Sequence, residues 1–482
     1  MIPPSWSRLT LREIGKLHCG QSPRTADVNR DGFGTRYVTG PEQWDGVQLR
    51  LDKWTTDPRR VVPEGCVFVT VKGAGVGTIF PGVAAAIGRD VYAYEPAPHV
   101  SPRFIQHALR LTVSEVLRNA RGDIPGLSKN HILDHVVGIP PRHEQDRIVA
   151  KLEELLSHID AGVAAVERAR ANLKRYRAAV LNTAVEGKLT EQWRAGHPDA
   201  EPASVLLERI LAERRTRWEE EQLRKHETRG SKPPKGWREE YRAPCTANQA
   251  TLPLLPSGWC WTTADQLTDE TRAITYGVVK LGDHLDAGVP TLRSSNVRHL
   301  ELDLARVKRI SEDIAGDYKR TILRGGEILV TVRGTLGGVV VVPSSCAGYN
   351  ISREVAMLAL VEPRVGPALA IFIASPRVQN WILKNTRGIA YTGINIETLK
   401  RMPLPLAPLA ELDRVERAVM EQLTCARRAS EESDMALARS RTLRQAILKA
   451  AFRGELTKPE THGGGATDDD ATACTSTPPL TA

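Results

Sequence analysis

From Ile148 to Val180, apolar or small residues recur at strict 4-3 spacing: Ile148, Leu152, Leu155, Ile159, Gly162, Val166, Ala169, Leu173, Tyr176 and Val180. This is the a/d seam of a coiled-coil helix. No proline interrupts it, so the pattern predicts one long helix over 144–190, with a seam of about 48 Å at ~1.5 Å per residue. Displaced by 267 residues lies a weaker seam: Val415, Val419, Gln422, Ala426, Ala429, Ser433, Ala436, Ser440, Leu443 and Ile447. It predicts a second long helix over 411–457. The two are expected to pair antiparallel through Ile148, Leu152, Leu155, Ile159, Val166 and Leu173 on one side. Val415, Val419, Leu443 and Ile447 supply the other, with small residues such as Gly162 and Ala436 permitting close approach. Two separate amphipathic helices, each packed on its own domain, are the alternative; the length of the seam favours pairing.

The same displacement joins Asp146-Arg147-Ile148 to Asp413-Arg414-Val415, and Gly187-Lys188-Leu189-Thr190 to Gly454-Glu455-Leu456-Thr457. Constant spacing over such a stretch marks a duplication without insertions. Upstream the copies correspond more loosely. Val69-Thr70-Val71-Lys72-Gly73 matches Val330-Thr331-Val332-Arg333-Gly334 at a displacement of 261, and Pro4-Ser5-Trp6 matches Pro256-Ser257-Gly258-Trp259. Buried strands are predicted at Val67–Val71, Glu327–Val332 and Val339–Val342, and short helices at Arg103–Leu111 and Ala368–Ala374. The fold class is therefore α+β: two globular α/β domains, 1–143 and 251–410, joined by two long helices in a pseudo-twofold repeat. Residues 191–250 read as a charged linker with a helix near 201–227 and an exposed Gly230-Ser231-Lys232-Pro233-Pro234 stretch. The Gly-, Asp- and Thr-rich segment 458–482 reads as a disordered tail.

Composition sharpens this picture. The 482 residues carry a formal charge of +9, which favours a polyanionic partner. There is no apolar run of membrane-spanning length, and the first residues lack a secretory pattern, so no membrane association is expected. Seven cysteines without a Cys-x-x-Cys pair suit a reducing cytoplasm. Candidate chemistry is missing. Gly73-Ala74-Gly75-Val76-Gly77 departs from the dinucleotide pattern, because Thr78 stands where the third glycine belongs, and a tight turn accounts for it. Gly15-Lys16 and Gly187-Lys188 run into leucine rather than the Ser or Thr of a phosphate loop. His131 and His135 lack the glutamate of a zinc-protease helix, and no nucleophile elbow occurs. No catalytic residue and no metal ligand is assigned.

The run Ile139-Pro140-Pro141-Arg142-His143-Glu144-Gln145-Asp146-Arg147-Ile148-Val149 opens a coiled-coil helix that closes on Glu186-Gly187-Lys188-Leu189-Thr190. With Leu255-Pro256-Ser257-Gly258-Trp259 and the late Phe452-Arg453-Gly454-Glu455-Leu456-Thr457, it resembles the specificity subunits of type I restriction–modification systems. In the second copy Glu411-Leu412 stands in place of the Glu-Gln pair. The resemblance implies two target-recognition domains, each reading one half of a split, asymmetric site in double-stranded DNA. It implies that the paired helices set the spacer and dock two methyltransferase subunits, with motor-nuclease subunits joining for restriction. S-adenosylmethionine would then sit on the methyltransferase, ATP and magnesium on the nuclease, and no cofactor on this chain.

Candidate DNA contacts are loop-borne polar and basic residues near strand ends: Lys72, Ser128, Lys129 and Asn130 in the first domain. In the second they are Arg293, Ser294, Asn296, Arg333, Thr392 and Asn395. Arginine reads guanine, and asparagine adenine, in bidentate fashion. Each residue has a plainer reading as a solvated loop residue or a backbone cap. Two other functions stay open. The specificity subunit of a type II-like methylation system would differ in its partners, and a coiled-coil scaffold would lack salt-dependent DNA affinity. A transcription regulator would need a helix-turn-helix, which the pattern does not contain.

Overall fold

The computed structural model describes residues 2–73, 75–119, 126–386 and 393–457. The tail at 458–482 and Thr392 lie outside them. The chain packs as two units interleaved in sequence: Met1–Val166 with Asp434–Ala482, and Glu167–Ser433. Each long helix therefore gives its first part to one unit and its last part to the other.

The two units repeat one plan. In the first, a four-stranded antiparallel sheet has the order Gly15–Cys19, Val91–Pro96, Val67–Thr70, Ile79–Pro81. In the second the order is Thr275–Tyr276, Val355–Leu358, Ile328–Thr331, Val339–Val341. The strands Val67–Thr70 and Ile328–Thr331 are buried at every position, which explains why they read as continuous apolar runs. Their alternate residues face two different cores. Val67 and Val69 point to the core that holds the helix Pro102–Asn119, whereas Phe68 joins a second core with Phe80 and Ile87. Ile328 and Val330 divide from Leu329 in the same way.

That second core rests on another sheet. It has five strands in the first unit, where Thr35–Val38 runs parallel to Ala85–Ile87, and three in the second, where Val289–Leu292 runs parallel to Asn350–Ile351. The second unit also breaks the helix that corresponds to Pro102–Asn119. Gly366–Ala374 stops at Ser375, which caps Pro376–Lys384 by accepting from the Val378 amide. Proline at the first helical position restarts the helix.

A short ribbon delivers each chain to its long helix. Ser7–Thr10 pairs with Val136–Ile139, and Cys260–Thr263 with Pro403–Leu406. The helices Arg142–Val185 and Leu409–Ala451 follow. Both start two residues earlier than their seams imply, and both turn off through a left-handed glycine, Gly187 at φ +66° and Gly454 at φ +69°. A Cβ on Gly187 would sit 2.6 Å from Pro256, and one on Gly454 3.3 Å from Pro3.

Those glycines abut the tryptophans of the opening motifs, and each tryptophan bonds to the first turn of a long helix. The Trp6 indole donates to Glu144 Oε1 at 3.2 Å, and the Trp259 indole to Glu411 Oε2 at 2.9 Å. Glu411 is fully buried, and also accepts from Thr190 Oγ1 at 2.6 Å and pairs with Arg194. In the first unit the next residue, Gln145, adds a tie that Leu412 cannot make. It accepts from the Ser101 amide at 2.8 Å and donates to the Pro140 carbonyl at 2.9 Å.

Within each unit the helix segments run antiparallel. In the first, Ile148 and Leu152 share a core with Leu448 and Ala451, and Asp160 pairs with Arg444 further along. In the second, Val180–Val185 share a core with Leu412, Val415 and Val419, and Tyr176 donates to Gln422 at 3.1 Å. The predicted seam is tight only toward the helix ends. Leu155, Ile159, Val166, Leu173 and Ile447 are half-buried, and Leu443 is 51% exposed. In the first unit, Ile159, Gly162, Val163, Ala436, Ser440 and Leu443 line an open groove of about 690 Å³, where Gly162, Ala436 and Ser440 are too small to fill the space between the helices. At the ends the buried face widens to Leu181, Ala184, Leu412, Leu423 and Leu448, where the helices meet the globular parts.

The segment 191–250 corrects the expectation of a linker. Its helix Ala203–Thr228 sends Leu206 and Ile210 into the core of the second unit. Arg214 is buried there, donating to the Thr268 carbonyl at 2.9 Å and to the Tyr241 hydroxyl at 2.7 Å, with Glu270 as its ion partner. A charge-rich pattern concealed a structural arm, because its decisive arginine is neutralised inside.

The two tryptophan–glutamate contacts predict unequal costs. Glu411→Ala strands a largely buried Arg194, and should lower the unfolding free energy by about 3–5 kcal/mol. Glu144→Ala removes one half-exposed hydrogen bond and should cost about 1 kcal/mol. Equal losses in denaturant titrations of the two variants would contradict the assignment of Glu411 as a buried ion-pair centre.

Candidate nucleic-acid interface

In both units the central strand of the four-stranded sheet ends in a cation followed by a glycine. Val71-Lys72-Gly73 leaves Val67–Thr70, and Val332-Arg333-Gly334 leaves Ile328–Thr331. Gly73 at φ +82° and Gly334 at φ +74° turn the chain, and Gly77 and Gly337, both at φ +87°, return it. These are backbone conformations that glycine adopts at little cost. The Gly77 amide then donates to the Thr70 carbonyl at 2.9 Å, and the Gly338 amide to Thr331 Oγ1 at 2.7 Å.

A second segment closes on each cation. Lys72 bridges Gly126 and Arg333 bridges Gly393, with Leu127 donating to Val71 at 2.9 Å and Ile394 donating to Val332 at 3.0 Å. Gly126 and Gly393 are again 267 residues apart. The register of the long helices thus extends back through the ribbon to this pole of each sheet, farther than the sequence motifs show. Helices Lys129–Leu133 and Ile396–Lys400 follow immediately.

The predicted residues gather here, though not all as free groups. Lys72, Lys129 and Arg333 are exposed. Ser128 is exposed but caps its helix, accepting from the His131 amide at 3.3 Å, and Asn395 accepts from Thr398 at 2.7 Å. Asn130 accepts from Arg12 at 3.3 Å. Ser294 donates from its hydroxyl to Glu354 at 2.7 Å.

Asn296 requires a correction. Only 3% exposed, it accepts from the Arg293 amide at 3.0 Å and donates to the Asp303 carbonyl at 2.9 Å. Its amide is spent on building its own turn, so it presents nothing to a base. Arg293 is half-buried, and its Nε has no hydrogen-bond partner among the described residues.

Two residues that the sequence did not single out complete the second pole. Tyr276, on the edge strand, lies under the Arg333 guanidinium at 5.8 Å from the ring centroid. Glu354 sits beside it, its carboxylate held by the Ser294 amide and hydroxyl. No local signal links Tyr276 to Arg333, since strand pairing alone brings them together. Among the described residues no cluster of His, Cys, Asp or Glu is arranged to hold a metal ion, and no helix is long and apolar enough to cross a membrane.

No family model matches the chain. Two curated proteins from Escherichia coli are nonetheless similar along nearly all of it. The type I restriction enzyme EcoBI specificity subunit is 26% identical over 460 residues, 95% of this chain and 87% of that protein. The EcoDI specificity subunit is 25% identical over 464 residues, 95% of this chain and 90% of that protein. The chain is a homologue of type I restriction specificity subunits. A solved chain from a study of assembly and conformational transition of the type I R-M system has a TM-score of 0.61 at 17% identity, covering 94% of this chain and 99% of that one. The specificity-subunit homologue therefore shares its mixed helix and sheet fold.

The geometry separates residues that build the pole from residues it displays. Asn296→Ala should lower unfolding free energy by about 1–3 kcal/mol, because it leaves buried backbone groups unpaired. Arg333→Ala should stay within about 0.5 kcal/mol of the parent. A neutral Asn296→Ala in thermal or denaturant unfolding would contradict its structural role.

Proposed function

We propose that this chain is the DNA-recognition subunit of a type I restriction–modification complex and performs no chemistry itself. Residues 1–143 and 251–410 each read one half of a bipartite, asymmetric site. The helices 144–190 and 411–457 pair as an antiparallel coiled coil that fixes the spacer and docks two methyltransferase subunits. Methyl transfer to adenine N6 belongs to those subunits and their S-adenosylmethionine. Restriction belongs to motor-nuclease subunits that use ATP and magnesium, and the cytoplasm is the fitting compartment.

One observation carries this reading: the pole of strand end, cation and glycine turn occurs twice, attached to a helical frame that keeps its register while the sheets around it diverge. A frame held constant and tips allowed to vary is what recognition of two unrelated half-sites requires. The net charge of +9 suits phosphate contacts, which position a protein without specifying sequence. Homology to type I subunits favours this function over a scaffold or a type II-like system.

Mapping of methylated adenines across the host genome, with the gene present and deleted, tests the proposal. The expected result is one split motif, methylated in the parent and unmethylated in the deletion. An unchanged methylation pattern would overturn it.

A further inference from the structure

The two poles hold their cations differently. Strand registers make the comparison residue by residue. Thr70 lies opposite Val91, and Thr331 opposite Val355, so Tyr92 corresponds to Ala356. Opposite Tyr92 on the edge strand is Cys19, and opposite Ala356 is Tyr276. The second pole therefore sets an arginine on a tyrosine ring where the first has a lysine and a cysteine.

The second arrangement fixes a direction. Arg333 follows a fully buried strand, and its backbone is tied to Gly393 on one side and to the Glu354 carbonyl on the other. Its guanidinium lies over Tyr276, itself 38% exposed, and forms no ion pair among the described residues. The nearby Glu354 carboxylate is occupied by Ser294. A planar fork of donors is thus oriented, exposed and without an ionic partner among the described residues. Lys72 is also exposed and tied to Gly126, but it has a compact charge on a flexible stem and no ring beneath it among the described residues. A fork matches the O6 and N7 acceptors of guanine in the major groove; an ammonium can also reach them, but without the fixed paired-donor geometry, so a compact charge on a flexible stem prefers the base less and suits a phosphate.

We propose that Arg333 reads a guanine in the half-site of the second unit, with Tyr276 as its positioning residue, and that Lys72 contacts the DNA backbone in the other half. The inference rests on the reading of this chain as a DNA-recognition subunit.

The test uses the full chain expressed with its methyltransferase partner, scored by genome-wide adenine methylation and by binding of the purified complex to duplexes varied at one base pair. Arg333→Ala should make a single guanine position of one half-site degenerate, reducing discrimination there about ten- to a hundredfold, and Arg333→Lys should relax the same position to a smaller extent. The other half-site should stay intact. Tyr276→Phe should keep the stringency, and Tyr276→Ala should relax the same position as Arg333→Ala. Lys72→Ala should leave the motif unchanged, weaken all duplexes alike and reduce the slope of affinity against salt by about one. Lys72→Arg should behave as the parent.

Undiminished guanine stringency in Arg333→Lys, uniform weakening in Arg333→Ala, or a base position relaxed by Lys72→Ala would each overturn the inference. A parent motif without guanine in one half would do so too. These outcomes differ from failure of the underlying reading, in which the parent complex has no split motif at all.

Discussion

An indole N–H donated to a glutamate in the first turn of a long helix marks both junctions at which a globular part is fixed to the helical frame. Trp6 meets Glu144 and Trp259 meets Glu411, each where the chain passes from a globular part into its helix. A carboxylate in the first helical turn is favoured by the helix dipole, and the ring buries a large apolar body beside it. The third participant is the glycine that ends the other long helix, Gly454 beside Trp6 and Gly187 beside Trp259. Each globular part is therefore fixed to the start of one helix and the end of the other. This explains why both units take in pieces of both helices, and why the junction residues of the two copies keep one spacing.

What lies beyond the lock is freer. The four-stranded sheets keep one strand order, since their central strands face two cores and cannot slip without turning apolar residues the wrong way. The outer sheets differ in strand number, one helix is broken at Ser375-Pro376, and the second unit gains the arm 203–228. Variation accumulates toward the poles, where Lys72 and Cys19 stand in one unit for Arg333 and Tyr276 in the other.

Much of this was legible in the sequence. The duplication, both long helices and the strands Val67–Thr70 and Ile328–Thr331 follow from periodicity, because those elements repeat one physical environment over many residues. The less legible features depend on contacts distant in sequence. A 4-3 pattern does not reveal that Gly162 and Ala436 leave an open groove, nor that Leu412 and Leu448 are buried where a helix meets a domain. Charge density in 203–228 conceals Arg214, which is buried only because Glu270 and Thr268 come to meet it. Asn296 and Arg333 look alike as polar loop residues. Strand pairing makes one a brace and the other a displayed group. Thr392 lies outside the described residues.

On the proposed reading, each globular part reads DNA independently on a shared frame. Replacing residues 251–410 with a second copy of 1–143 tests this most directly, with adenine methylation mapped genome-wide in a host that also carries the methyltransferase partner. Antiparallel pairing of the helices predicts a symmetric motif made of two inverted copies of the half-site read by 1–143. Persistence of the original asymmetric motif, or of its second half, would contradict this independence.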